Sequence, residues 1–347
     1  MTDLTTTYLG LTLRNPIVAS SSPATQSVER VRALADEGIG GVVLPSLFEE
    51  QVTREQLRDL ALTEGTEYGD GEASSYFPTA PLASSGGASR HLRLVEQCAR
   101  LVDVPVIASL NGSTSGGWAR FARELADAGA AAIELNIYVV PGYSTITGRD
   151  IEDLHVEILQ QVKEVVSVPV SVKLSPFFSS TGELAARLDR AGADGLVLFN
   201  RFLQPDVDPE LMQVTTRIDL SSPAEARVAR TWMAILHHQV EASLAATTGV
   251  EDAGDVAAYL LAGADVVMTA SALVRHGIEH TSMLVNGLRS WMRRHDFETV
   301  DEFRGRLAVS ADTDATAFGR QGYVAALNKA RLTYGEIGSV SRRQPAR

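Results

Sequence analysis

Apolar and polar positions along this chain repeat one phrase. An amphipathic helical stretch ends in Gly, and a short Val/Ile/Leu-rich run follows that ends in a small polar residue. The clearest copies are Ala35-Asp-Glu-Gly38 before Gly41-Val-Val-Leu44, Asp127-Ala-Gly129 before Ala132-Ile-Glu-Leu-Asn136, Arg190-Ala-Gly192 before Gly195-Leu-Val-Leu198, and Leu261-Ala-Gly263 before Asp265-Val-Val-Met268. Val104-Pro-Val-Ile-Ala-Ser109 and Val168-Pro-Val-Ser-Val-Lys173 open two more strands, Pro16 to Ser20 reads as the first, and Glu241 to Ala246 as the seventh. Most of these runs are continuously apolar rather than alternating, which suits parallel strands with helices on one face and a packed interior on the other. They recur about 25 to 45 residues apart, the length of one βα unit with its loops. The pattern predicts an α/β fold, a (β/α)8 TIM barrel, whose chemistry sits at the strand C-termini.

The same reading divides the chain into an N-terminal hairpin (1–15) that plugs the barrel's bottom, the barrel itself (16–277) and a helical tail (278–347). Two long insertions, about 49–87 and 201–222, fall on the active face, where lids and interface segments are carried. Met283, Leu284, Leu288, Trp291 and Met292 form a packing stripe in the tail. A length of 347 residues is then one domain with extensions rather than two.

Composition narrows the function classes. A net charge of −12 with no Lys/Arg block argues against nucleic acid or an anionic membrane as partner. No stretch reaches the ~18 apolar residues of a membrane span and no leader pattern opens the chain, so a cytoplasmic protein is expected. The single cysteine, Cys98, lies in a helical pattern and reads as a buried hydrophobe. With one cysteine the chain builds no disulfide and no cysteine-ligated cluster of its own. Glu152 with His155, and His276 with His280, are the only spacings suggestive of metal ligands. Solvated helix faces account for both, and no metal is expected.

Lys173 closes an apolar strand, where it either reaches the mouth to stabilise an anion or is simply solvated. Asn136 and Asn200 end the fourth and sixth strands, and two amides there can hold a planar heterocycle or serve turn chemistry. Thr247, Thr248 and Gly249 after the seventh strand, and Ala270 and Ser271 after the eighth, suit the phosphate-binding position of barrels, though such residues also describe ordinary helix caps.

Taken in order, Asn15-Pro-Ile-Val-Ala-Ser20, Ile107-Ala-Ser-Leu-Asn-Gly112, Glu134-Leu-Asn136, Val172-Lys-Leu-Ser-Pro176, Leu198-Phe-Asn200 and Ala264-Asp-Val-Val-Met-Thr-Ala-Ser-Ala-Leu273 resemble the FMN barrel of class 1 dihydroorotate dehydrogenases and the related domain of dihydropyrimidine dehydrogenases. The likeness spans about residues 5–280. Leu44-Pro-Ser-Leu-Phe-Glu-Glu50 and Asn200-Arg-Phe-Leu-Gln-Pro205 are closer to the branch called dihydroorotate dehydrogenase-like proteins. The resemblance implies FMN lying across the mouth, contacted by Ala19, Ser20, Ser46, Asn111, Asn136 and Lys173, with its phosphate on Thr247, Thr248, Gly249, Ala270 and Ser271. It implies a dihydropyrimidine-like substrate on Asn136 and Asn200, an oxidoreductase acting on a CH–CH bond in pyrimidine metabolism, and a homodimer. Electrons would leave to a small acceptor or to a partner carrying its own redox centre.

Three departures qualify that reading. The Cys or Ser that acts as proton acceptor after the fourth strand is Val139, and the second Asn of that phrase is Pro141. A Lys expected after the second strand is Pro45, next to Ser46. Thr248-Gly249 stands for Gly-Gly. Tyr138, Tyr143 and Ser144 are the nearby candidates for the missing base, although a phenol with a pKa near 10 is a weak base at neutral pH, and Tyr138 can equally stack on a ligand. Arg201 either pairs with a substrate carboxylate or forms a surface salt bridge. Rival readings are an FMN barrel with a different substrate or a lapsed, regulatory role, and a lyase using Lys173 as a Schiff base.

Overall fold

The computed structural model describes residues 2–51, 87–114, 117–140, 142–201, 205–215 and 219–335. Most of the first insertion, parts of the second, Pro141 and the end of the tail lie outside the described residues. The chain divides into two compact units, 1–308 and 309–347.

In the first unit eight parallel strands close a barrel in chain order. They are β3 (Ile17–Ala19), β4 (Gly41–Phe48), β5 (Val106–Gly112), β6 (Ala132–Ile137), β7 (Val170–Leu174), β8 (Gly195–Leu198), β11 (Ser243–Ala246) and β12 (Val266–Thr269), which pairs back onto β3. β6 and β7 are buried at every position, as strands packed on both faces must be. The register slips once, between Val43 and Ser46, where Pro45 has no N–H to give to the ladder. Outside lie α1 (Val28–Asp36), α2 (Gly87–Leu101), α3 (Trp118–Asp127), α4 (Gly148–Lys163), α5 (Thr181–Arg190), α6 (Ala226–Leu236), α7 (Ala253–Ala262), the short α8 (Ser271–His276) and α9 (His280–Arg294).

The repeated phrase has a backbone cause. Gly38, Gly129, Gly192 and Gly263 take φ of +93°, +100°, +96° and +113°. This left-handed step ends a helix and turns the chain into the next strand, and a side chain is strained there. Starts are set by side chains: Thr147 and Asp150 cap α4 reciprocally, as Asp252 and Asp255 cap α7.

Two separate apolar clusters result. One lies between strands and helices and holds Cys98. The other fills the barrel and joins Val18, Val43, Ile107, Ala132, Val197, Ala245, Val266 and Met268 to Tyr8, Leu9 and Leu13. Those last three come from the antiparallel hairpin β1 (Thr6–Tyr8) and β2 (Leu11–Leu13), so the expected plug is present. Leu9 and Gly10, both at positive φ, make its tight turn, and Leu9 N–H donates to Ser243 Oγ at 3.1 Å. A small antiparallel hairpin, β9 (Asp206–Asp208) with β10 (Gln213–Thr215), stands in the second insertion.

Two sequence expectations need correction. Glu152 and His155 are buried, not solvated: His155 Nδ1 bonds Ile151 O at 2.7 Å, its ring meets Phe178 edge-on, and Glu152 accepts from Ser179 Oγ at 2.8 Å. Met283 is two-thirds exposed, so the stripe on α9 is Leu284, Leu288, Trp291 and Met292, with Trp291 partly buried against the outer cluster. In the second unit, residues Ala315–Tyr334 form a single helix, α10. Among the described residues no helix is long and apolar enough to cross a membrane.

Candidate functional site

Two-residue periodicity along the strands carries alternate side chains into the barrel. On β6 these are Ala132, Glu134 and Asn136, and on β7 Ser171 and Lys173. Polar residues therefore rise out of an apolar floor toward the C-terminal mouth. Lys173 is 7% exposed, so the solvated alternative is excluded. Its Nζ lies 3.4 Å from Glu134 Oε1 and 3.4 Å from Ser20 Oγ. Glu134 is 1% exposed, and its second oxygen, Oε2, has no hydrogen-bond donor among the described residues. Below it Tyr8 is fully buried, and burial first, then the Glu134 charge, push its phenol well above the ordinary range.

Asn136 stands in register with Lys173 on one side and Asn111 on the other. Asn200 Nδ2 donates to Asn136 Oδ1 at 2.9 Å, so the two predicted amides meet across the mouth. Ser46 and Ser109 share a 2.8 Å hydroxyl bond at the level of Glu134, with which Ser109 is in register. Ala19 is buried with its methyl in the outer cluster, whereas Ser20 faces the mouth.

A cavity of about 240 Å³ opens from Lys173, Ser20 and Asn200 to the loops after β11 and β12. Thr247, Thr248, Gly249, Ala270 and Ser271 all line it, so the loops after two neighbouring strands share one wall. Thr248 and Gly249 take φ of +83° and +68°, and a Cβ on Gly249 would sit 2.5 Å from Ser222 O. Gly249 N–H donates to Ser221 Oγ at 3.2 Å, and Ser221 bonds Ser271 Oγ through both its N–H and its hydroxyl, each at 2.9 Å. Hydroxyls and small residues on this wall, with a buried cation at its other end, match the needs of an elongated, planar, phosphate-bearing group.

The loop after β6 supplies less. Tyr138 is half-buried and its N–H donates to Gly112 O at 3.0 Å. Val139 is half-buried against the outer cluster. Tyr143 and Ser144 are exposed, and neither lines the cavity. Arg201 is at the cavity rim, with its guanidinium 3.0 Å from Glu225 Oε1. No group of three potential metal ligands occurs among the described residues.

Two residues of the site were not assigned from sequence. Glu134 was legible in principle, since a carboxylate two positions before an inward Asn on a buried strand must also face inward. Ser221 had no signal, because it sits in an insertion whose path the sequence does not specify.

A family model described as dihydroorotate dehydrogenase matches residues 82–292. Among curated proteins, the catalytic subunit of dihydroorotate dehydrogenase B (NAD(+)) from Methanothermobacter thermautotrophicus is 30% identical over 222 residues, covering 62% of this chain and 71% of that protein. The protein of the same name from Thermoplasma acidophilum is 24% identical over 310 residues, 88% of this chain and 99% of the other. That from Halalkalibacterium halodurans is 36% identical over 179 residues, covering 49% and 58%.

Proposed function

The chain belongs to the dihydroorotate dehydrogenase family, a family of oxidoreductases acting on CH–CH donors, and from that premise we propose that it is an FMN-dependent enzyme that oxidises dihydroorotate or a related dihydropyrimidine. The observation that carries the cofactor assignment is the joined cavity, with buried Lys173 at one end and the β11 and β12 loops at the other. Bound there, FMN would supply the hydride acceptor for the CH–CH bond. Thr247, Thr248, Gly249, Ala270 and Ser271 hold the phosphate, and Ser20, Ser46, Asn111 and the backbone at Ala19 border the ring. Lys173 supplies the positive charge that favours a reduced, anionic ring. Asn136 and Asn200, already bonded to each other, orient a ring substrate through paired donors and acceptors.

The single cysteine rules out an iron–sulfur cluster built on four of this chain's own thiolates. The relatives' name, "catalytic subunit", speaks of a further subunit in those proteins. Electrons from this chain pass to a partner that carries its own redox centre, and the chain itself acts as a cytoplasmic homodimer.

Val139 favours a second reading in which the cofactor stays and the role changes. A valine takes no proton, and Ser144 and Tyr143 stand in solvent. The barrel then binds FMN and accepts a substrate that needs no thiol base, or serves a regulatory role.

The visible spectrum of purified protein under anaerobic conditions tests both. A yellow protein bleached by dihydroorotate carries the first reading. One that stays yellow keeps FMN and demands the second, and a colourless protein that takes up no added FMN overturns both. Replacing Lys173 by Ala is expected to weaken FMN retention at least tenfold, on the scale of one lost charge-assisted contact. Equilibrium dialysis measures it.

A further inference from the structure

Glu134 is costly where it stands. It is 1% exposed inside the barrel, Oε2 has no donor among the described residues, and the nearest cation is Lys173 at 3.4 Å. A glutamine of the same shape would be cheaper to bury, since an ionised carboxylate loses far more hydration than an amide. Its surroundings do not explain its charge: Tyr8 lies beneath it and Ser109 and Ser171 are its register partners, all neutral groups. The charge is directed upward, at the ammonium that faces the mouth.

We propose that Glu134 is a positioning residue for Lys173, holding the ammonium back between Glu134 Oε1 and Ser20 Oγ and so weakening the electrostatic pull that this cation exerts on the flavin ring. The inference rests on the FMN reading above. An ammonium drawn back onto Glu134 Oε1 stands farther from the ring than one free to extend into the mouth, and the attraction between charges falls with their separation. Reduction of the bound ring is then less favourable than Lys173 alone would make it, so that electrons leave readily for the next acceptor. Asn136, in register beside Lys173, is held by Asn200 and leaves the cation no second anionic partner on the described strands.

Sulfite offers a probe that needs no turnover, because it adds to flavin N5 and its adduct is stabilised by the same positive charge. In holoprotein, E134Q is expected to bind sulfite about tenfold more tightly and to shift the flavin midpoint potential to more positive values. K173M is expected to move both in the opposite direction. Changing Glu134 in the K173M background should have a smaller effect than in wild type, which marks action through Lys173. Should E134Q not fold, E134Q/K173M, which removes both charges at similar volume, is read against K173M alone. Wild-type protein that takes up no FMN overturns the functional reading and this inference together. FMN-loaded protein whose sulfite affinity and potential are unmoved by E134Q overturns this inference only, and an undiminished Glu134 effect without Lys173 overturns the positioning role.

Discussion

Val139 presents two methyl groups, half-buried against the outer cluster, where the proposed reaction calls for a proton acceptor. General-base catalysis contributes roughly 10²- to 10⁴-fold. Val139→Cys is therefore expected to raise the rate at which dihydroorotate bleaches the bound flavin by about 10²-fold, read by anaerobic stopped flow. An unchanged rate would point to a substrate for which position 139 is irrelevant. Lys173, Asn136 and Asn200 were legible because strand ends in a barrel have one destination, the mouth. Which way Arg201 and Glu152 turn was not legible. Glu225 and Ser179 lie 24 and 27 residues from them, and only the fold brings those partners near.

At the level of elements, the turn between β11 and α7 bears most on the proposed cofactor. Its two positive-φ residues and the Ser221–Ser271 bonds shape the wall that the phosphate would meet. Gly249→Ala places a methyl against Ser222 O and asks alanine to hold φ near +68°. A loss of about 1–3 kcal/mol in stability is expected, with FMN affinity falling in parallel. Thermal unfolding and dialysis check the two. Strand order, the glycine-ended helices and the plugging hairpin were all readable, since each rests on local pattern and backbone freedom. The start of β11 at Ser243 rather than Glu241 was not, for its first residues, Glu241 and Ala242, instead donate their N–H groups to the Asp189 carboxylate.

For the whole molecule, acid is the informative stress. Burial pushes His91 down from 6.5 to about 4, and burial also lowers His155. The unfolded chain takes up a proton near pH 6.5 while folded His91 refuses it until about pH 4, so stability is intact above 6.5 and falls across that window. The drop assignable to His91 is on the order of 3 kcal/mol. His91→Gln should flatten the pH profile of urea unfolding between those limits by about that amount. Barrel closure has a different consequence, one that concerns synthesis. β3 ends up beside β12, some 250 residues later, and the hairpin made first finds its seat against Gly195 and Ser243 only afterwards. At roughly 5–20 residues per second, the ribosome extends an open sheet with two bare edges for tens of seconds before the ring can shut. The nascent chain is thus exposed to edge pairing with its neighbours until its last strand emerges, and crowding on polysomes is its period of greatest risk.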